Sequence, residues 1–161
     1  MSIESRLQRL EDLEKIRKLI TRFSKAADAK CDPVMLRPLF TDDATFDLRP
    51  YGCYEGADNI VASMHANVDV GFNWTLHYLI SPEIELQEDS DVASCFYYLW
   101  EPAETQKADS ERQAYWIGGW YDAKVRKQGD VWKFEHLKLT VKLMSAYKEG
   151  FSDMPKSLQE A

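Results

Sequence analysis

The chain is short of the residues that announce most chemistries. It has three cysteines, three histidines, seven glycines and six prolines in 161 residues. Cys31, Cys53 and Cys95 are widely spaced, with no C-x-x-C between them. Their odd number argues against a disulfide framework and for a reducing, cytoplasmic setting. No H-E-x-x-H or clustered histidines occur, so no metal site is expected. Without G-x-S-x-G or a glycine-rich phosphate loop, the usual serine hydrolases and nucleotide binders drop out, and no cofactor is expected. Basic residues are the minority: 20 Lys and Arg against 27 Asp and Glu leave a net charge of −7. Nucleic acid is therefore excluded as a main partner, because phosphate contacts need a basic surface. No apolar run reaches the roughly 18 residues of a membrane span, and no secretory leader pattern is seen, so no membrane association is expected.

What is present is apolar and aromatic. Hydrophobic residues make up 45% and aromatics 12%, with five Trp and eight Tyr, enough to fill a core and line a ligand cavity. The length fits one domain, placed at 1–150, followed by a tail at 151–161 expected to be poorly ordered.

Leu7, Leu10, Leu13, Ile16, Leu19, Ile20 and Phe23 recur at helical spacing and predict an amphipathic helix over 5–30. Asp28 falls at its end, where the helix dipole disfavours a carboxylate, so it needs a reason to be there. Asp32 and Pro33 suit the cap and first turn of a second helix. A short strand is expected over 44–48, a return strand at Cys53-Tyr54, and a third helix over 57–69 buried along Ile60, Val61, Met64 and Val68. His65, beside that stripe, reads as a surface or interface residue.

The periodicity then changes to two. Long strands are expected over 74–87, 92–101, 113–127 and 131–143, with a polar hairpin loop over 102–111. Ser81-Pro82 marks a bend in the first of these, and Gly118-Gly119 a kink in the third. The order implies an α+β fold, a curved antiparallel sheet wrapped around the N-terminal helices. Leu137, Leu139, Val141 and Leu143 form a clean apolar row that should face the helices. Both faces of the first two long strands are apolar, which predicts a homo-oligomer, dimer or trimer, through the outer sheet face.

His77 is a single imidazole in the run Asn73-Trp74-Thr75-Leu76-His77-Tyr78-Leu79-Ile80. On the strand alone it reads as a core histidine. Its alternative is a general base at the bottom of an apolar pocket, a task for which an imidazole titrating near about 6.5 is suited.

The chain resembles the SnoaL-like branch of the NTF2-like cone-fold superfamily. The resemblance spans 8–150 and is carried by Phe23-Ser24-Lys25-Ala26-Ala27-Asp28, Leu39-Phe40-Thr41-Asp42-Asp43-Ala44, Tyr54-Glu55-Gly56, Leu76-His77-Tyr78, Gly118-Gly119-Trp120-Tyr121 and Gly129-Asp130-Val131-Trp132-Lys133-Phe134. It is most similar to the group containing scytalone dehydratase, bile acid dehydratase and hexachlorocyclohexane dehydrochlorinase. That resemblance implies a pair, Asp28 holding His77, with His77 abstracting a proton from carbon. It implies a cofactor-free dehydratase, other lyase or isomerase acting on a small, hydrophobic, cyclic ligand. The alternatives are a noncatalytic binding or structural subunit, like dioxygenase small subunits, or a polyketide-type cyclase. Departures from the pattern are Phe23, where the dehydratases carry Tyr, and the absence of the dehydrochlorinase's Lys and Arg. Glu101 is the nearest match to a second acid, and Tyr97, Tyr115 and Tyr54 are further candidate proton donors. Phe23, Leu137, Leu139 and Val141 are expected to line the pocket.

Overall fold

The computed structural model describes residues 2–87, 90–106 and 112–149. The expected tail at 151–161 and the loop tip at 107–111 lie outside the described residues. Three helices, α1 (Ile3–Asp28), α2 (Pro33–Leu36) and α3 (Ala57–Gly71), accompany seven strands. These are β1 (Phe40–Asp47), β2 (Cys53–Glu55), β3 (Phe72–Thr75), β4 (Tyr78–Leu86), β5 (Val92–Gln106), β6 (Arg112–Gln128) and β7 (Val131–Ala146). The strands form one sheet in the order β2-β1-β7-β6-β5-β3, with β4 also paired to β5. None of the described helices is long and apolar enough to cross a membrane.

Local chemistry accounts for the helices. Ser2 caps α1 by accepting from the Ser5 N–H at 3.2 Å, and Asp32 caps α2 by accepting from the Val34 and Met35 N–H groups. The buried stripe of α1 is Ile16, Leu19, Ile20, Phe23, Ala26 and Ala27. Leu7 and Leu10, expected on that stripe, remain 56% and 62% exposed because the described residues do not cover the first turns. Phe23 meets Phe40, Tyr121 and Phe134 edge-on, with ring centroids 5.5–6.3 Å apart. Burial of one such ring contributes about 2–3 kcal/mol.

The sheet curls where its ladders slip. Register shifts occur between Ile80 and Glu83, around Ser81-Pro82, and between Gly118 and Gly119. A Cβ on Gly119 would lie 2.0 Å from the Thr140 carbonyl oxygen, so only glycine lets β6 approach β7 this closely. The α+β cone is as expected, but the sheet is mixed: β1 runs parallel to β7, whereas the other described pairings are antiparallel. Element bounds also differ. The strand starting at Phe40 includes Thr41-Asp42-Asp43, and β5 continues through Pro102 to Gln106, because its outer half pairs with β3 and β6. The expected strand over 74–87 is two strands, interrupted at Leu76 and His77.

Candidate active site

The interruption has a local cause. Leu76 N–H still donates to the Pro102 carbonyl of β5 at 3.0 Å. At His77 both backbone groups turn away to the last turn of α1. The His77 N–H donates to Asp28 Oδ1 at 2.8 Å, and the Ser24 hydroxyl donates to the His77 carbonyl at 2.6 Å. Ser24 and Asp28 are four residues apart on α1, so they share a helix face. The helix thus substitutes for a neighbouring strand, and the backbone polar groups of His77 stay satisfied.

The same Asp28 oxygen also meets His77 Nδ1 at 2.8 Å. A carboxylate only accepts, so Nδ1 carries a hydrogen, and in the neutral ring the lone pair is at Nε2. Asp28 therefore holds the imidazole by backbone and ring together. This is the reason for a carboxylate at the end of α1.

On the far side of the ring, Glu101 Oε2 lies 3.5 Å from His77 Nε2. The Glu101 side chain is 9% exposed and that of His77 is 11%. Burial pushes the Glu101 carboxyl above the usual range; the facing His77 opposes that shift and the negative charge of Asp28 adds to it. Two acids thus flank one imidazole, and burial makes the second harder to ionise than a free carboxyl.

His77 and Glu101 line a cavity of about 350 Å³. Its walls are mostly apolar, including Phe46, Leu48, Val68, Phe72, Leu139 and Val141. His77, Glu101, Thr75, Cys31 and Tyr121 also line it. Cys31 follows Lys30 in a pair of left-handed residues, with φ of 53° and 56°. Burial pushes its thiol up to about 12, so it stays protonated and is no nucleophile near neutrality.

Of the residues expected at the site, Asp28, His77 and Glu101 come together, and Leu139 and Val141 line the cavity. Phe23 and Leu137 do not. Both are fully buried in the packed core, Phe23 among its aromatic partners. Tyr97 is also fully enclosed and stacks on Tyr121, with its hydroxyl away from the cavity lining. Tyr115 donates to Gln113 Oε1 at 3.4 Å and does not line the cavity. Tyr54 stands behind the lining, accepting from Asn67 and donating to the Tyr51 carbonyl. The sequence reading missed Tyr121, Thr75 and Cys31. Tyr121 and Thr75 had a usable signal: Thr75 shares strand parity with His77, and Tyr121 shares it with the buried Ala123 and Val125. The other histidines are occupied elsewhere: His65 Nδ1 meets the Lys30 carbonyl at 2.9 Å and His136 Nδ1 meets Thr45 Oγ1 at 2.6 Å.

Comparison with known proteins bears on the family and the fold. A family model described as a SnoaL-like domain matches residues 8–138. The chain belongs to the SnoaL-like domain family. The fold of this SnoaL-like protein is shared by a type 2 hexachlorocyclohexane dehydrochlorinase, with a TM-score of 0.80 and 18% identity over 94% of this chain and 99% of that one. The type 3 dehydrochlorinase from Novosphingobium barchaimii gives 0.79 and 18% over 92% and 98%. A candidate scytalone dehydratase from Novosphingobium aromaticivorans gives 0.76 and 21% over 86% and 89%. At these identities the likeness shows the NTF2-like fold. No curated protein matches the chain.

Proposed function

We propose that this SnoaL-like protein is a lyase of the dehydratase type, acting on a small hydrophobic, cyclic substrate. The observation that supports it is the Asp28–His77–Glu101 row at the wall of an apolar cavity. Asp28 directs the Nε2 lone pair into the cavity, where it takes a proton from carbon. Glu101, made harder to ionise by its burial, gives a proton to the departing oxygen. His77 neutral with Glu101 protonated carries the same net charge as imidazolium beside carboxylate. One internal proton transfer therefore resets the site. Base and acid both come from the chain, so the reaction asks for no cofactor.

The reading extends to surroundings. A row of Trp74, Leu76, Tyr78, Ile80 and Tyr98, each 43–53% exposed, supports assembly into a homo-oligomer through the outer sheet face. Free cysteines suit a cytoplasmic location.

The test is exchange at carbon. Wild type should exchange the α-protons of 2-tetralone for deuterium in D2O, read by NMR, and should release water from a cyclic β-hydroxy ketone. If His77→Ala, folded by circular dichroism, exchanges as fast as wild type, His77 is not the base. An isomerase would exchange and shift a double bond without losing water.

A further inference from the structure

The end of α1 and the turn after it carry exposed charge of one sign. Between Ile16 and Lys30 the exposed charged side chains are Arg17, Lys18, Arg22, Lys25 and Lys30, all cations in a chain of net charge −7. The one acid of that stretch, Asp28, faces His77. Elsewhere several cations are met by carboxylates: Lys15 by Asp130, Arg126 by Asp43 and Lys127 by Asp12. Here Lys18 reaches Glu14 at 3.7 Å, and Arg17, Arg22, Lys25 and Lys30 pair with no carboxylate among the described residues. Lys18, Arg22 and Lys25 follow one another at steps of four and three, where like charges destabilise a helix. The helix dipole favours cations in the final turn only, so it accounts for Lys25 and not for Arg17 or Arg22. A helix face that is merely solvated mixes its signs.

Arg22 and Lys25 line a notch of about 280 Å³ where α1 meets α2, and its other wall is Val34 and Met35. Those two apolar side chains are 83% and 42% exposed. Met is flexible and adapts to the partner it packs against. None of the four residues lines the cavity beside His77. The notch calls for one occupant with two properties, carboxylates and an apolar side chain. A bilayer takes an apolar helix face, and that of α1 is buried in the core. A nucleic acid brings phosphates but no apolar side chain to fill the notch. Repulsion from the chain's excess acids is screened beyond about 8 Å at physiological salt, so the local cations decide.

We propose that this notch is a docking site for an acidic amphipathic helix of another protein. One apolar side chain of that helix enters between Val34 and Met35. Carboxylates beside it meet Arg22 and Lys25, and those a turn further on meet Arg17 and Lys18. Arg17 and Lys25 stand about 12 Å apart along α1, roughly two turns of a helix laid beside it. A helix repeats its carboxylates at the same three- and four-residue steps as these cations, which an extended strand does not. The occupant lies against the same last turns of α1 that present Ser24 and Asp28 to His77.

Fluorescence anisotropy with a labelled peptide tests it. The probe is a helix-forming peptide of about 15 residues with Glu along one face and a single Leu among them. Wild type should bind it, more weakly as salt is added. Arg22→Glu with Lys25→Glu should weaken binding at least about tenfold, and exchanging the peptide's Leu for Gln should weaken it about threefold or more. Arg6→Glu with Arg9→Glu makes the same charge change at the other end of α1 and should leave binding within about twofold. Both double variants should keep the circular dichroism of wild type. Equal losses in the two double variants would show bulk charge and no docking site. No binding of the peptide to wild type overturns the proposal, as does binding to phosphatidylserine vesicles in its place. A change in sedimentation of the unliganded protein on Arg22→Glu with Lys25→Glu would instead assign the face to contact between copies of this chain.

Discussion

Helix α1 presents two carboxylates to the sheet, and they have opposite surroundings. Asp12, midway along, accepts from Trp132 Nε1 at 2.8 Å and from Gln8 Nε2 at 3.2 Å, and Lys127 Nζ lies 3.0 Å from its Oδ1. Burial opposes its ionisation, but Trp132, Lys127 and Gln8 together hold its carboxyl below the usual range. Its two oxygens are thus met by three neighbouring side chains. Asp28, at the end of the helix, spends one oxygen on the backbone and ring of His77, is paired with no Lys or Arg among the described residues, and is faced across the imidazole by Glu101. Where Coulomb attraction is satisfied, a buried carboxylate only fastens helix to hairpin. Where it is left to a titratable ring with an open face, the same residue type orients that ring.

The largest effect expected is at the Asp28 end. His77→Ala should lower proton exchange by about 10²–10⁴-fold with the fold retained, because positioned base catalysis has that worth. Exchange near the wild-type rate would erase the functional side of the contrast. At the other end, Asp12→Ala should cost about 3 kcal/mol in urea unfolding, since it strips a largely buried Lys127 and Trp132 of their partner. Turnover by the folded fraction should not change. A loss below about 1 kcal/mol would show that Asp12 is no fastener.

Ser24→Ala sharpens the boundary between the two roles. It removes the donor to the His77 carbonyl and should cost about 1 kcal/mol, or roughly 2–4 °C in Tm, and about tenfold in exchange rate. A change in Tm with no change in rate would mean that Asp28 alone positions the ring.

The smallest effect is in pH dependence, where the two ends should have opposite signs. Asp12 has a depressed folded pKa, so its contribution is present above the unfolded value of about 3.8 and is lost as pH falls through the folded one. Glu101 has a raised folded pKa. The native state then binds more protons than the unfolded chain above about 4.5, and stability falls as pH rises through the folded value. Glu101→Gln should flatten that decline in unfolding curves from pH 4 upward, and Asp12→Asn should flatten the acid side. An unchanged slope in Glu101→Gln would remove the physical reason for assigning it the acid.

Much of this molecule is legible along the chain. The three helices, the bend at Ser81-Pro82 and the slip at Gly118-Gly119 follow from periodicity and backbone chemistry, which are written in neighbouring residues. The acid at the end of α1 and the imidazole in an apolar run are visible there too, as an unexplained charge and a lone histidine. Their pairing in the sequence reading came from resemblance, because composition says nothing of distance between residues 49 apart. The tertiary structure decided the rest. It broke the strand at His77, because α1 takes both backbone groups there. It put Phe23, Leu137 and Tyr97 into solid core and left Tyr121 on the cavity, although all four lie on inward faces. It brought Glu101 to the far side of the imidazole. Parity tells which way a side chain points; the curvature of the sheet decides whether it meets helix, another side chain or empty space.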